Sequence, residues 1–151
     1  MKSSTLLLTL VATFLLTACS NEALLNRREN RLIGVWEFEK ASFKENGDIF
    51  RDNITNEFEG DAIEFLPNYT ALYDDFSLNA VFEGEWELFL DRNADGDEDD
   101  AEFFLDMTFF DFVNGENFSY FASATKLTNN NMTLIANTQS GQFRFKLNKI
   151  D

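Results

Sequence analysis

The twelve residues Asp91-Arg92-Asn93-Ala94-Asp95-Gly96-Asp97-Glu98-Asp99-Asp100-Ala101-Glu102 set oxygen-bearing side chains at alternate positions around a glycine. That order fits the D-x-[DN]-x-[DN]-G-x5-E calcium-loop pattern residue for residue. Asp91, Asn93 and Asp95 would supply side-chain oxygens, Gly96 the sharp turn and Asp97 its backbone carbonyl. Asp99 would ligate directly or through water, and Glu102 would close the site in bidentate fashion. Calcium is a hard ion that takes roughly six to eight oxygen ligands and needs neither histidine nor thiolate. Loops of this kind in extracellular modules bind in the range of roughly 0.1–1 mM. A bound ion would brace the loop rather than catalyse. Without one, the carboxylates of Asp95, Asp97, Glu98, Asp99, Asp100 and Glu102 repel one another over a short stretch of chain. The competing reading is a solvated acidic turn, because an Asp-Gly hairpin in so acidic a protein gathers carboxylates in any case.

The remaining inventory is poor in catalytic groups. The chain has no histidine and one cysteine, Cys19. Ser-His and Cys-His nucleophile systems and the usual zinc sites are therefore excluded. A carboxylate pair of the glycosidase type can be picked anywhere among 27 acids, so it carries no specificity. The expectation is a protein that is not an enzyme and has no catalytic residues. A net charge of −15 opposes nucleic acid, whose phosphates require a basic surface, and opposes adhesion to anionic lipid. Cations, cationic proteins and apolar molecules are the partners such a surface leaves open. In an Asp-Gly loop flanked by Leu88-Phe89-Leu90 and Phe103 the neighbours read as strands, whereas an EF-hand has helices there. Glu98 also stands where that family has an aliphatic residue. The loop would therefore be a calcium loop in a β-hairpin.

What holds the chain in place is written at its start. Lys2 precedes the apolar run Leu6 to Leu16, and Leu16-Thr17-Ala18-Cys19 follows. The run is about half of the ~20 residues a bilayer-spanning helix needs, which favours a secretory signal. Leu-Thr-Ala-Cys resembles the lipobox of bacterial lipoproteins. The resemblance implies cleavage before Cys19, acylation of that cysteine and anchorage to a membrane through its acyl chains. Residues 1–18 then form the signal peptide, 19–31 the lipidated N-terminus and a short tether with a turn or two of helix, and 32–151 the folded domain. Ser20 in place of aspartate favours the outer membrane of the cell envelope by the enterobacterial sorting rule, with the leaflet open. Lipidation consumes the only thiol, so no disulfide forms and stability must come from apolar burial. Eighteen Phe and two Trp supply it. The length suits one domain with one core.

The elements that must position these residues are strands. From Leu32 onward the apolar residues alternate with polar ones. Gly34 to Glu39 starts the first strand, with Trp36 and Phe38 on one face, and Asn46-Gly47-Asp48 is a turn signal. Ile63 to Leu66 and Asn68 to Tyr73 follow, divided by Pro67. Gly84, Trp86, Leu88 and Leu90 oppose Glu83, Glu85 and Glu87 on the next strand. Phe103, Leu105, Met107 and Phe109 make an inward stripe, with Phe104, Phe110 and Phe112 outward as a candidate contact surface. Phe118 to Thr125, Met132 to Thr138 and Phe143 to Asn148 complete eight or nine strands with no long helix. The fold class expected is all-β, an antiparallel eight- to nine-stranded barrel, since closure removes exposed edges.

Leu32-Ile33-Gly34-Val35-Trp36 resembles the Gly-x-Trp opening of lipocalins and of lipocalin-like domains in envelope lipoproteins. Gly84-Glu85-Trp86 and the basic-aromatic strand Phe143 to Lys146 strengthen the likeness. The resemblance covers residues 32–151. The spacing of turns leaves no room for the helix many lipocalins carry near their end, so lipocalin-like barrel is the description. It implies that Trp36 plugs the closed end and packs against a basic residue of the last strand, either Arg144 or Lys146. It also implies a calyx, in which Trp36, Phe38, Trp86, Phe103, Phe109, Phe143 and Phe145 would line a cavity for a small apolar ligand. The other reading of these rings is a packed core, since a small barrel can be filled by its own side chains. The abundance of Phe favours the packed core.

Overall fold

A computed structural model describes residues 22–92 and 101–150. The described residues form a helix, α1, over residues 22–32, and nine strands. The strands are β1 (Gly34–Glu45), β2 (Asp52–Asn53), β3 (Ala62–Phe65), β4 (Thr70–Asp75), β5 (Ala80–Arg92), β6 (Ala101–Asp111), β7 (Glu116–Leu127), β8 (Asn131–Asn137) and β9 (Gly141–Lys149). A 3-10 turn, Thr55–Phe58, lies between β2 and β3. Every pairing is antiparallel. From β3 to β9 each strand lies beside the next in sequence, and β9 returns to pair with β1. The result is a closed eight-stranded barrel with β2 as an extra strand, the lipocalin-like all-β architecture expected. β3 pairs with β1 over residues 34–37, and β2 pairs farther along β1 at Ser42 and Phe43.

The alternation read from the sequence is the alternation of burial. Gly84, Trp86 and Leu88 point inward on β5, while Glu83, Glu85 and Glu87 face solvent. On β6 the buried set is Phe103, Leu105, Met107 and Phe109. Gly84 is required by a close approach. A Cβ there would run into the Thr108 carbonyl and stand 2.9 Å from the Phe109 Cα, so the neighbouring backbone crosses where a side chain would be.

The first strand, which starts at Gly34 as expected, continues to Glu45. The β1–β9 register shifts between Phe38 and Lys40, a bulge that re-aims the strand. Trp36 and Phe38 face inward before it, and Ala41 is buried after it. The alternation breaks at that shift, so the half of β1 beyond Glu39 does not continue the period-two pattern of the first half. β6 ends at Asp111, so Phe112 sits in a turn rather than outward on a strand.

The segment expected as a short tether is helical throughout residues 22–32. Leu25, Arg28 and Leu32 recur at helical spacing, and that stripe meets the barrel. Leu32 is buried, and Leu24 and Leu25 pack against the core. Arg28 lies 4.8 Å over the Phe103 ring and donates a 2.9 Å hydrogen bond to the Leu127 carbonyl. Helix α1 therefore closes the barrel end at which β1 begins.

Candidate functional site

Three places inherit the candidate residues: the N-terminal closure, the acidic hairpin and the barrel interior. At the closure, Trp36 is fully buried and its Nε1 donates 2.6 Å to the Leu32 carbonyl. The cation over its ring is Lys149, with Nζ 5.4 Å from the centroid. Neither Arg144 nor Lys146 takes that role, and both are exposed. The reason is parity. Phe145 and Leu147 are buried on β9, so residues 144 and 146 point outward and the next inward position is 149. Trp36 and Lys149 are cross-strand partners. Nζ also donates to the carbonyls of Ile33 and, at 3.3 Å, Arg31. A cation there satisfies carbonyls that the C-terminus of α1 leaves without helical donors, and it suits the negative end of the helix dipole. Arg28, on the same helix, has its guanidinium pKa lowered by burial and then by the nearby charges of Arg31 and Arg27.

The acidic hairpin is flanked by strands, with β5 reaching Arg92 and β6 starting at Ala101. Asp91 and Glu102, the first and last residues of the twelve, are direct cross-strand partners and both are exposed. Like charges set opposite one another destabilise a ladder, and a cation between them would relieve it. Asn93, Asp95, Asp97 and Asp99 lie outside the described residues, as does Cys19. Among the described residues no group of three acidic, histidine or cysteine side chains is placed to hold a metal ion.

The interior gathers the seven aromatic candidates into one core. Trp36, Trp86, Phe103, Phe109 and Phe145 are buried within it, and Phe38 and Phe143 are partly buried against it. The space they leave is small. A gap bounded by Phe38, Ile63, Tyr73, Met107, Ala122 and Phe145, among others, has a volume of about 20 Å³. That is room for about one water, where ligand pockets measure roughly 300–1,000 Å³. Phe58, from the 3-10 turn, helps fill the barrel at the end away from α1. Its ring centroid lies 5.2 Å from those of both Phe38 and Phe145.

Beside that ring is a buried polar latch. Asp61 is 2% exposed. It accepts the Tyr73 hydroxyl at 2.5 Å and the Phe76 backbone N–H at 3.0 Å, and its own carbonyl accepts from the Phe38 N–H at 3.3 Å. The carboxylate is thus satisfied on both oxygens, as a buried charge must be. Burial pushes the Tyr73 phenol well above its ordinary value, and the hydrogen bond to Asp61 and its charge add to that shift. The Tyr120 phenol is raised too, by burial first and then by the charges of Asp61 and Asp75.

Phe58, Asp61, Tyr73 and Lys149 escaped the sequence reading. Phe58 and Asp61 lie in an irregular stretch with no periodicity, and Lys149 lies one residue past the strand end assigned from the alternation. Asn53 and Asn68 shape the turns beside these residues, each accepting the backbone N–H two residues on, as Asx turns do. No family model matches the chain, and no curated protein or solved structure is significantly similar to it.

Proposed function

We propose that this chain is a noncatalytic, lipid-anchored lipoprotein of the bacterial cell envelope, an acidic interaction module built on a lipocalin-like barrel. The observation that carries the interaction reading over a carrier reading is the filled interior, whose gap of about 20 Å³ has no space for a lipid-sized molecule. The anchor rests on Leu16-Thr17-Ala18-Cys19, and the outer membrane on Ser20. A net charge of −15 supports a cationic protein as the partner, and no histidine is present for the common hydrolytic machineries. The calcium loop belongs to the same proposal as a brace for the hairpin, with Asp91 and Glu102 at its base.

A second reading, binding of a small apolar ligand, is supported by the apolar lining of the interior gap and by Phe58 entering it from outside the strands. Swinging that ring out would enlarge the space. Native mass spectrometry of protein purified from cells separates the two. A clean apo mass supports the interaction module, and a copurified lipid-sized mass overturns it in favour of the calyx. Palmitate labelling tests the anchor: Cys19→Ala should abolish incorporation, and labelling that persists refutes lipidation at that residue.

A further inference from the structure

The barrel end opposite α1 exposes large apolar side chains where turns ordinarily carry polar ones. Four described turns project there; one, Thr138-Gln139-Ser140, is polar, and the other three carry apolar tips. The first holds Ile49 and Phe50, the second Phe76 and Leu78, the third Phe112 and Val113. These side chains are 66–94% exposed. The described turns at the α1 end carry Pro67, Asn68 and a single exposed ring, Tyr69, and Thr128, Asn129 and Asn130. Other large apolar side chains are exposed too, among them Tyr69, Phe89, Phe121 and Ile150, but six grouped on three turns of one end exceed the scattered exposure normal for a soluble surface.

The tips are held in place. Asp111 accepts the N–H groups of Val113 at 2.9 Å and Asn114 at 3.1 Å, and its other oxygen accepts the Asn114 amide at 2.7 Å. Asp75 does the same for its turn, accepting the Leu78 N–H at 2.9 Å and the Ser77 hydroxyl at 2.7 Å. Phe76 lies against Gly60, whose φ of +87° and lack of a side chain admit the ring. Apolar groups presented by pre-ordered turns cost less entropy to dock than groups on free loops.

The charge around them is one-sided. Asp48, Asp52, Asp74, Asp75, Asp111 and Glu116 belong to these turns and their flanks, against Lys44 and Arg51. Arg51 is already engaged with Gln142 of β9. Apolar tips in an acidic ring disfavour an anionic bilayer and complement a basic, amphipathic surface. We infer that this end of the barrel is the docking surface for a cationic protein segment, which seats its apolar side chains on the Phe50, Leu78 and Val113 tips and its basic residues on the surrounding carboxylates. This rests on the interaction reading above. An anchor entering through α1 would also leave this end facing away from its membrane.

The test uses the full mature chain and a synthetic amphipathic Lys/Leu peptide of about 18 residues, with a Glu/Leu peptide of the same pattern as control. The basic peptide should bind and the acidic one should not, and the triple variant Phe50→Ser/Leu78→Ser/Val113→Ser should weaken binding at least about tenfold. The barrel-wall variant Phe89→Ser/Phe121→Ser should leave it unchanged. If the triple variant melts early, Val113→Ser alone, at the most exposed tip, carries the same comparison and should still weaken binding. Binding that the rim variants leave intact overturns the docking surface but not the interaction reading, whereas no binding of the basic peptide overturns both. Rim-dependent binding to phosphatidylcholine or phosphatidylglycerol vesicles overturns the protein partner in favour of a lipid surface. Rim-dependent dimerisation in sedimentation overturns it in favour of a second copy of this chain.

Discussion

Replacing Phe58 with alanine tests whether the barrel is filled by its own side chains. The ring touches Phe38 and Phe145 at 5.2 Å between centroids and helps bound the 20 Å³ gap. A fully buried Phe→Ala change costs roughly 3–5 kcal/mol. Phe58 is largely but not fully buried, so the lower end of that range, about 3 kcal/mol, is expected. For a domain of this size the melting temperature should fall by roughly 9–15 °C. Removing the ring should also enlarge the gap by on the order of 100 Å³, into the range where an apolar cavity stays dry and accepts benzene. The assay is thermal unfolding with and without saturating benzene. The wild-type protein should be unaffected and the variant partly restored. Equal stabilisation of both proteins would refute the packed interior and return the calyx to first place.

Four further outcomes follow from the same contacts. Gly84→Ala should cost about 3 kcal/mol or more in urea unfolding, because its Cβ meets the backbone of Thr108 and Phe109, which cannot yield as a flexible side chain would. Tyr73→Phe leaves one oxygen of buried Asp61 without its donor and should cost about 1–3 kcal/mol at neutral pH. The folded pKa of Tyr73 is raised above its ordinary 10.0, so its contribution is complete below pH 10 and is lost as pH climbs toward the folded value. Wild-type melting temperature should therefore drop with rising pH above 10, and the variant should show a shallower drop, the raised Tyr120 keeping part of the slope. Lys149→Met keeps the stem beside Trp36 but removes the donor to Arg31 and Ile33, so it should cost about 2 kcal/mol and speed amide exchange in residues 22–32. Unchanged exchange would show that the lysine does not hold the helix down. For the acidic hairpin, calcium at about tenfold over its dissociation constant should stabilise the fold by roughly 1.4 kcal/mol, and Glu102→Gln should remove the effect. An unchanged melting temperature at several millimolar calcium would dismiss the metal.

The strands were legible because burial on one face imposes period two, and β5, β6 and β9 obey it without interruption. Phe103, Leu105, Met107 and Phe109 could be assigned inward from spacing alone, and all four are buried. Legibility failed where a single residue changes the parity or ends a strand. The bulge between Phe38 and Lys40 hid the second half of β1, and a strand ended one residue early hid Lys149. Helix α1 was only partly visible, since eleven residues with three leucines are a weak helical signal until the barrel supplies a surface to pack against. The exposed tips were harder still. Phe112 was read as an outward strand residue, and only the register that ends β6 at Asp111 moves it to a turn tip.

The two ends of the barrel therefore divide what stability and recognition ask of an aromatic-rich chain. At the α1 end the demand is closure. Trp36, Lys149 and the last carbonyls of the helix satisfy one another, and the polar turns there expose little of the core. At the other end Phe58 fills the interior from the 3-10 turn, and the Asp61 latch joins that segment to the Phe76 turn. Once the core is sealed by Phe58, the apolar side chains beyond it are not needed for packing, and Phe50 and Val113 contribute little to folding while remaining in water. Their stability effect and their binding effect are thus separable by substitution. A loss of stability in Val113→Ser comparable to that of Phe58→Ala would show that the rim belongs to the core after all.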